Sequence, residues 1–192
     1  MFRFFHSGTL TKSEQRLLLK HARNCIEAKM HGKKGSKFSE STPRLDEERG
    51  AFVTLIKDDN LRGCVGLAQS TQPLYRTVQD MAITAAFEDP RFPPMEQAEL
   101  ADTVIEISAV SWIRELTSVR KIKIRRHGLM IKLKDAKGLL LPQVAARNNW
   151  DRLTFLENVC IKAGLKKDDW KNPAAKMMIF AAQVFSDSYH RR

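Results

Sequence analysis

The chain of 192 residues and 22.0 kDa has the size of one domain, and its 43% hydrophobic and 29% charged residues are typical of a folded globular protein. It contains no apolar run of the ~20 residues that a membrane helix requires, and its opening residues are too short for a signal peptide. Three cysteines, none at CxxC spacing, exclude a disulfide framework and favour the reducing cytoplasm.

The formal net charge of +11 is distributed unevenly along the chain. Residues 1–49 carry +5, residues 50–111 carry −5, residues 112–137 carry +7 and residues 138–192 carry +4. A positive field attracts anions, including RNA or an acidic partner protein, but an acidic middle segment is unlike a uniform nucleic-acid-binding arm. Nucleic-acid binding is therefore an alternative interpretation and not the favoured one.

The first half of the chain predicts a helix, a flexible loop and a hairpin. Residues 11–30 have helical apolar spacing, and Thr11 and Glu14 have the spacing of a capping box. Residues 31–49 have the composition of a loop and are the predicted mobile segment. Two strands, 51–56 and 61–68, are then separated by the polar turn 57–60.

A second helix is predicted to begin at Pro73, and the proline-rich residues 89–94 predict a stiff, irregular loop. The remaining chain predicts strands over 103–113, 121–125 and 129–133, an apolar run over 139–141, a helix over 151–163 that ends at Gly164, and a strand or short helix over 177–185. Because hairpins dominate over βαβ units, we expect an α+β fold with a mainly antiparallel sheet flanked by helices.

The strand containing Arg62 and Cys64 carries the sharpest local chemistry. Strand alternation places Leu61, Gly63, Val65 and Leu67 on a core face, and Arg62, Cys64 and Gly66 on the other face. A guanidinium near the thiol would favour the thiolate, which makes Cys64 a candidate nucleophile. Alternatively, Cys64 is a small apolar filler and Arg62 pairs with a carboxylate.

Candidate bases for Cys64 are distant in sequence. His127 is expected in a hairpin turn, where an exposed histidine is commoner than a catalytic one. Glu106 interrupts an apolar strand and either faces solvent or is paired in a cleft. Cys25 and Cys160 lie on apolar helix faces and are expected in the core. Metal-binding and nucleotide-phosphate motifs are absent, so no metal site and no cofactor are predicted on this chain.

A series of motifs over roughly residues 12–187 resembles the AMMECR domain family. The hexapeptide Leu61–Gly66, with the sequence LRGCVG, matches the hallmark of that family. Further matches occur, in the order of the family, at 50–55, 89–94, 105–108, 127–129, 138–145, 150–151, 155–157, 160–165 and 184–185.

The resemblance implies a single AMMECR-type domain over residues 1–192. It has a larger lobe with an antiparallel sheet flanked by helices, a smaller helical lobe, and a cleft between them near the hexapeptide. The family motif, and with it the expected ligand-binding cleft, is matched at Arg62, Gly63, Cys64, Val65, Gly66, Arg91, Glu106, His127 and Gln143. No reaction comes with the resemblance. Family members of this size resemble one protein of a three-component system that also contains a Memo-like protein and a radical-SAM protein.

One position departs from the family pattern next to a motif residue. Arg125 stands where the family often has glycine, just before Arg126 and His127. If that glycine adopts a positive φ, an arginine is disfavoured there or changes the turn.

Three functional classes follow from these observations. The favoured one is a component of the Memo and radical-SAM system that binds a small molecule or partner at the Arg62–Gly66 cleft. The second is an RNA- or nucleoprotein-binding module with a basic face formed by Lys121, Lys123, Arg125, Arg126 and Lys132. The third is an independent thiol enzyme that depends on Cys64. Whether the chain itself catalyses a reaction is left open.

Overall fold

The computed structural model describes residues 8–33 and 36–187, which form a mixed structure of helices and one antiparallel sheet. Six strands follow the order β2-β1-β3-β6-β4-β5, so β2 is an edge strand. The elements are α1 (Lys12–Met30), β1 (Ala51–Lys57), β2 (Asn60–Leu67), α2 (Leu74–Phe87), α3 (Gln97–Leu100), β3 (Val104–Glu115), β4 (Gly128–Leu133), β5 (Ala136–Leu140), α4 (Pro142–Arg147), α5 (Arg152–Lys162) and β6 (Lys176–Ser186), with single 3₁₀ turns at Val119–Lys121 and Asp169–Lys171.

The described residues divide into two compact units. The first unit comprises residues 8–33, 36–110 and 183–187, and the second comprises residues 111–182. The mixture of helices with one antiparallel sheet confirms the predicted α+β class. The second unit contains strands as well as helices α4 and α5. The assignment of the whole chain to a single domain stays a prediction.

The core of the first unit is formed by α1, α2 and one face of the sheet. Helix α1 begins as predicted, because the Thr11 side chain accepts from the Glu14 backbone and the Glu14 side chain accepts from the Thr11 backbone. The buried side chains of α1 pack with those of α2 and of strands β1 and β3. The core that they form together includes Leu18, Ala22, Ile26, Val53, Leu55, Leu74, Val78, Ile105 and Ile107.

The predicted β1–β2 hairpin is confirmed, and it contains a β-bulge that the alternation did not indicate. Asp58 and Asp59 form the two-residue turn, with φ of 49° and 59°, as a tight hairpin with the right-handed strand twist requires. Ile56 pairs with Leu61, but Leu55 pairs with Gly63, so Arg62 is the extra residue of the bulge.

The bulge changes which side chains of β2 share a face. The prediction that Leu61 lies on the core face is wrong, because Leu61 pairs before the bulge and is 45% exposed. Leu67, at the end of β2, is 46% exposed and so is also outside the core. Gly63 and Val65 do lie on the core side, opposite Leu55 and Val53.

The second unit packs α5 against the hairpin formed by β4 and β5. Asp151 caps α5 by accepting from the Thr154 backbone, and Gly164 follows the helix with a φ of 72°, both as predicted. Residues 176–186 are a strand, which decides the alternative left open for that segment. Helix α4 was not predicted from the sequence. The second core contains Ile122, Leu129, Ile131, Phe155, Leu156, Val159, Cys160 and Ile179.

The predicted strand over residues 121–125 is wrong. Val119–Lys121 form a 3₁₀ turn, and the Lys123 carbonyl accepts from the N–H groups of both Arg126 and His127. Arg125 has a φ of 71°, which ends any extended alternation. The strand face predicted for Lys121, Lys123, Arg125, Arg126 and Lys132 therefore does not exist, although these five cations are exposed.

The described part of the predicted loop, residues 31–33 and 36–49, contains turns and one isolated bridge between Glu48 and Pro73. It is anchored by Leu45, which is fully buried. Its mobility stays a prediction. Among the described residues, no helix has the length and apolar character needed to cross a bilayer.

Three lysines face one another across the second unit's part of the sheet. Lys132 of β4 lies directly opposite Lys137 of β5 and opposite Lys176 of β6, and all three are exposed. Directly opposed side chains on neighbouring strands have Cβ atoms about 5 Å apart, so these like charges repel each other. We call Lys137, Lys132 and Lys176 the lysine row.

We expect Lys132→Glu to stabilise the protein, because it converts two repulsive cross-strand pairs into two attractive ones. The free energy of unfolding should rise by about 0.5–1 kcal/mol in low salt, measured by urea denaturation. Lys134→Glu in the adjacent turn is the control, since it changes the net charge equally without facing a lysine across a ladder. Equal gains in both variants would contradict the cross-strand explanation.

Candidate functional site

The backbone N–H and the backbone carbonyl of Cys64 both form hydrogen bonds with the loop that follows α2. Its N–H donates to Oδ2 of Asp89 at 2.9 Å, and its carbonyl accepts from Nη2 of Arg91 at 3.0 Å. Because β2 is an edge strand, these groups point away from β1 and would otherwise be free to pair with another chain. The loop therefore fixes Cys64 and closes this part of the sheet edge.

The two residues that bond to the Cys64 backbone, Asp89 and Arg91, also form an ion pair with each other. We call this pair and its two hydrogen bonds to Cys64 the clamp. Arg91 donates through Nε to Oδ1 at 2.9 Å and through Nη2 to Oδ2 at 2.6 Å. Asp89 is buried, whereas the Arg91 side chain is 47% exposed. The hydrogen bonds from Arg91, supported by the Cys64 N–H, hold the pKa of Asp89 well below its ordinary value even though burial opposes this.

A second ion pair holds the bulge residue. Arg62 donates through Nε and Nη2 to the two carboxylate oxygens of Glu99, both at 2.9 Å, and Nη2 also reaches the Pro93 carbonyl. Lys57 Nζ lies 3.4 Å from the same carboxylate. The hydrogen bonds from Arg62 lower the pKa of Glu99 to about 2. Arg62 thus pairs with a carboxylate, as the alternative interpretation expected.

The side chain of Cys64 shares a sheet face with Thr54 and Glu106. Thr54 of β1 lies opposite Cys64 on one side and opposite Glu106 of β3 on the other. Cys64 is half-buried, and its sulfur lies 3.3 Å from the Thr54 hydroxyl. This row offers a thiol, a hydroxyl and a carboxylate in adjacent strands, which is a set that can bind a small polar group.

Both glycines of the hexapeptide are required by close packing. A Cβ on Gly63 would lie 2.2 Å from the Ala85 carbonyl oxygen, so β2 packs against the backbone of α2. A Cβ on Gly66 would lie 2.2 Å from the ring of Phe52, its cross-strand neighbour. The glycines therefore position the strand, and Cys64 lies between them as a free, half-buried cysteine.

The structure brings together seven of the nine predicted site residues in the first unit. Residues 62–66 and Arg91 meet at the clamp, and Glu106 lies two strands away on the Cys64 face. Val65 packs against the first core. His127 and Gln143 belong to the second unit, just before β4 and within α4. Residues 8–33 and 36–187 contain no group of three or more His, Cys, Asp or Glu able to hold a metal ion.

His127 is buried, so the expectation of an exposed turn histidine is wrong. Its Nδ1 accepts from the Lys123 N–H at 3.3 Å, and its ring meets Trp112 edge to face at 5.4 Å between centroids. Burial lowers the pKa of His127, and the nearby charges of Arg114 and Lys123 lower it further. A neutral histidine that holds the 123–127 turn explains this geometry.

Sequence reasoning missed the carboxylates and the hydroxyl that complete the site. Asp89 carried a usable signal, because Asp-Pro-Arg spacing in a stiff loop favours pairing between the carboxylate and the guanidinium. Glu99 had a weaker signal as the third residue of a short helix, where it also accepts from the Glu96 N–H. Thr54 carried no signal, because its position opposite Cys64 depends on the bulge.

Comparisons with known proteins identify relatives over nearly the whole chain. The AMMECR1 family model matches residues 19–185. Protein MK0488 of Methanopyrus kandleri is 40% identical over 187 residues, covering 93% of this chain and 90% of the relative. Protein MJ0810 of Methanocaldococcus jannaschii is 39% identical over 188 residues, with 93% and 92% covered. The crystal structure of the uncharacterized protein PH0010 from Pyrococcus horikoshii superimposes with a TM-score of 0.85 at 35% identity, covering 89% of this chain and 90% of that one.

The Arg62–Glu99 pair should make stability depend on acid. Because the folded pKa of Glu99 is about 2 and the unfolded value is about 4.3, this contribution is complete above that unfolded value and is lost as the pH decreases toward 2. We expect Glu99→Gln to be less stable than wild type at pH 7 but to lose less stability between pH 4.5 and 2.5, measured by urea denaturation at each pH. Glu27→Gln, an exposed carboxylate without an ion pair among the described residues, controls for the charge. If the free energy of unfolding changes with pH equally in wild type and in both variants, the Arg62–Glu99 pair is not the source of the acid dependence.

The positive φ of Arg125 should strain the turn that holds His127. Arg125→Gly removes the Cβ at a φ of 71°, so we expect the free energy of unfolding to rise by about 0.5–1 kcal/mol. Arg126→Gly is the matched control, since Arg126 does not have a positive φ and glycine there increases only the entropy of the unfolded chain. Thermal unfolding of both variants distinguishes strain relief from loss of charge, which is the same in each.

Proposed function

Because this chain belongs to the AMMECR1 family, we propose that it is the binding component of a multi-protein system with a Memo-like and a radical-SAM protein, and that it holds a small molecule or a partner segment at the Cys64 face. The observation that carries this proposal is the clamp. Asp89 and Arg91 use the outward backbone groups of Cys64, so a ligand meets side chains here and not a free strand edge.

The surroundings of the thiol favour binding over independent nucleophilic catalysis. In the described part of the chain, the side-chain partner of the Cys64 sulfur is the Thr54 hydroxyl, which is not a base at neutral pH. The guanidinium of Arg62 is engaged by Glu99. A thiol without an adjacent base suits a residue that contacts a ligand or a partner's reactive group.

The Arg62–Glu99 and Asp89–Arg91 ion pairs also give the site the rigidity that binding needs. Arg62 and Arg91 tie β2 to the segment from Asp89 to Glu99, while Gly63 lets the strand contact the backbone of α2. A side chain held on a strand by packing and paired charges loses little entropy when a ligand binds.

Alkylation of the three cysteines tests whether this face is available. We expect iodoacetamide at pH 7.5 to modify Cys64 much faster than Cys25 and Cys160. Peptide mass spectrometry measures the extent of alkylation of each cysteine over time. Cys25 and Cys160 are fully buried, and burial raises the pKa of each thiol, so they serve as internal controls. Equal reactivity of all three cysteines would contradict an accessible Cys64 face.

The partners are tested with the same chemistry. Purified Memo-like and radical-SAM proteins from the same genome should co-elute with the full chain and slow the modification of Cys64. N-ethylmaleimide treatment should abolish co-elution of wild type but not of Cys64→Ala, which lacks the thiol while keeping the backbone clamp. Co-elution that is unchanged by Cys64 modification would place the interface elsewhere, and no co-elution would overturn the partnership.

A further inference from the structure

The net positive charge of the chain is confined to one of its two units. Residues 111–182 contain 16 Lys and Arg against 6 Asp and Glu, a net charge of +10, whereas residues 8–33, 36–110 and 183–187 contain 13 Lys and Arg against 16 Asp and Glu, a net charge of −3. The candidate site around Cys64 therefore belongs to a unit with a small negative charge, and the long-range field that attracts anions originates from the other one.

Within the second unit, the lysine row is a place where cations are concentrated on a regular surface. Lys132 faces Lys137 and Lys176 across adjacent strands, so three ammonium groups extend from strands spaced about 4.8 Å apart. None of the three forms an ion pair with a carboxylate among residues 8–33 and 36–187. Their mutual repulsion is therefore uncompensated within this part of the chain.

The turn region before β4 adds further unpaired cations. Six exposed basic side chains occur between residues 114 and 126, and in the described chain none has a carboxylate partner: Arg114, Arg120, Lys121, Lys123, Arg125 and Arg126. Glu115 is the single acidic residue of this stretch. Ordinary protein surfaces intersperse both signs of charge, so this distribution is suited to an anionic partner.

The chemistry of the row favours phosphates over an acidic protein. Lysine is depleted at protein–protein interfaces, where aromatic residues and arginine provide most of the contact energy. Beside the row, on the same face, lie the half-buried Met130, Leu139 and Met178, which give no aromatic surface for stacking bases. We propose that the second unit binds the phosphate backbone of a nucleic acid through Lys132, Lys137 and Lys176, without reading its sequence.

Fluorescence anisotropy with labelled 20-nucleotide U and dT strands tests this proposal on the full chain. We expect both to bind at 50 mM salt, with affinity that decreases steeply as salt increases. Lys132→Gln, Lys137→Gln and Lys176→Gln combined should weaken binding at least about tenfold and reduce the slope of log K against log salt by about 2, as expected for three lost phosphate contacts. Tighter binding of U than of dT would add contacts to the 2′-hydroxyl.

Two matched variants separate the row from net charge and from folding. Lys12→Gln, Lys20→Gln and Lys29→Gln combined remove the same charge from the exposed side of α1 in the first unit, and should retain most of the affinity. Lys132→Glu should weaken binding while raising the unfolding midpoint, so its loss of affinity is not a loss of fold.

Several results would overturn the proposal. These are no binding by wild type at 50 mM salt, equal weakening by the two triple variants, or an unchanged salt slope in the lysine-row triple variant. A glutamate peptide of matched charge that binds more tightly than either oligonucleotide would assign the surface to an acidic protein instead. None of these outcomes bears on the Cys64 face, which lies in the first unit.

Discussion

One extra residue in a hairpin determines the geometry of the candidate site. Without the bulge at Arg62, the two-residue turn at Asp58 and Asp59 would pair Thr54 with Gly63 and turn Cys64 toward Val53 and the core. The bulge shifts the register by one residue, and a shift of one moves side chains to the opposite face of a strand. The thiol therefore meets the Thr54 hydroxyl and shares a face with Glu106.

The two ion pairs have different tasks in holding this arrangement. The Arg62–Glu99 pair fixes the side chain of the bulged residue, which makes no ladder contact of its own. The Asp89–Arg91 pair engages the backbone of Cys64 and covers part of an exposed strand edge, which is a common site of unwanted strand pairing. Arg62, Gly63, Gly66 and the backbone of Cys64 therefore have structural roles, and the half-buried Cys64 side chain is the part of the hexapeptide that the proposed binding uses.

Charge divides the described residues between the two units. The first unit has a small net negative charge and contains the candidate site, in which Arg62 is paired with Glu99 and Arg91 with Asp89. The second unit carries the excess cations, with lysines opposed across a ladder at a cost in stability. A local violation of favourable charge pairing is what functional surfaces often show, which agrees with the proposed polyanion binding. The binding proposed for the Cys64 face and that proposed for the lysine row use residues of different units, so variants can test them separately.

Local signals in the sequence were sufficient for most elements. The capping box at Thr11, the turn at Asp58 and Asp59, and the cap at Asp151 each act over a few residues, so composition and spacing indicate them directly. The hexapeptide also directed attention to Cys64. Residues 121–125 were misread because strict alternation does not exclude a turn when the chain tolerates a positive φ at Arg125.

What surrounds Cys64 was decided by tertiary structure. The sequence by itself determined the family and the α+β class, and it made Cys64 the candidate residue of the site. It could not indicate the bulge, the Arg62–Glu99 pair, the contacts of Asp89 and Arg91 with Cys64, or the lysine row, because each depends on which residues of distant segments become neighbours. Strand register and long-range charge pairing are set when the strands pack, and the local amino-acid sequence contains no signal for either.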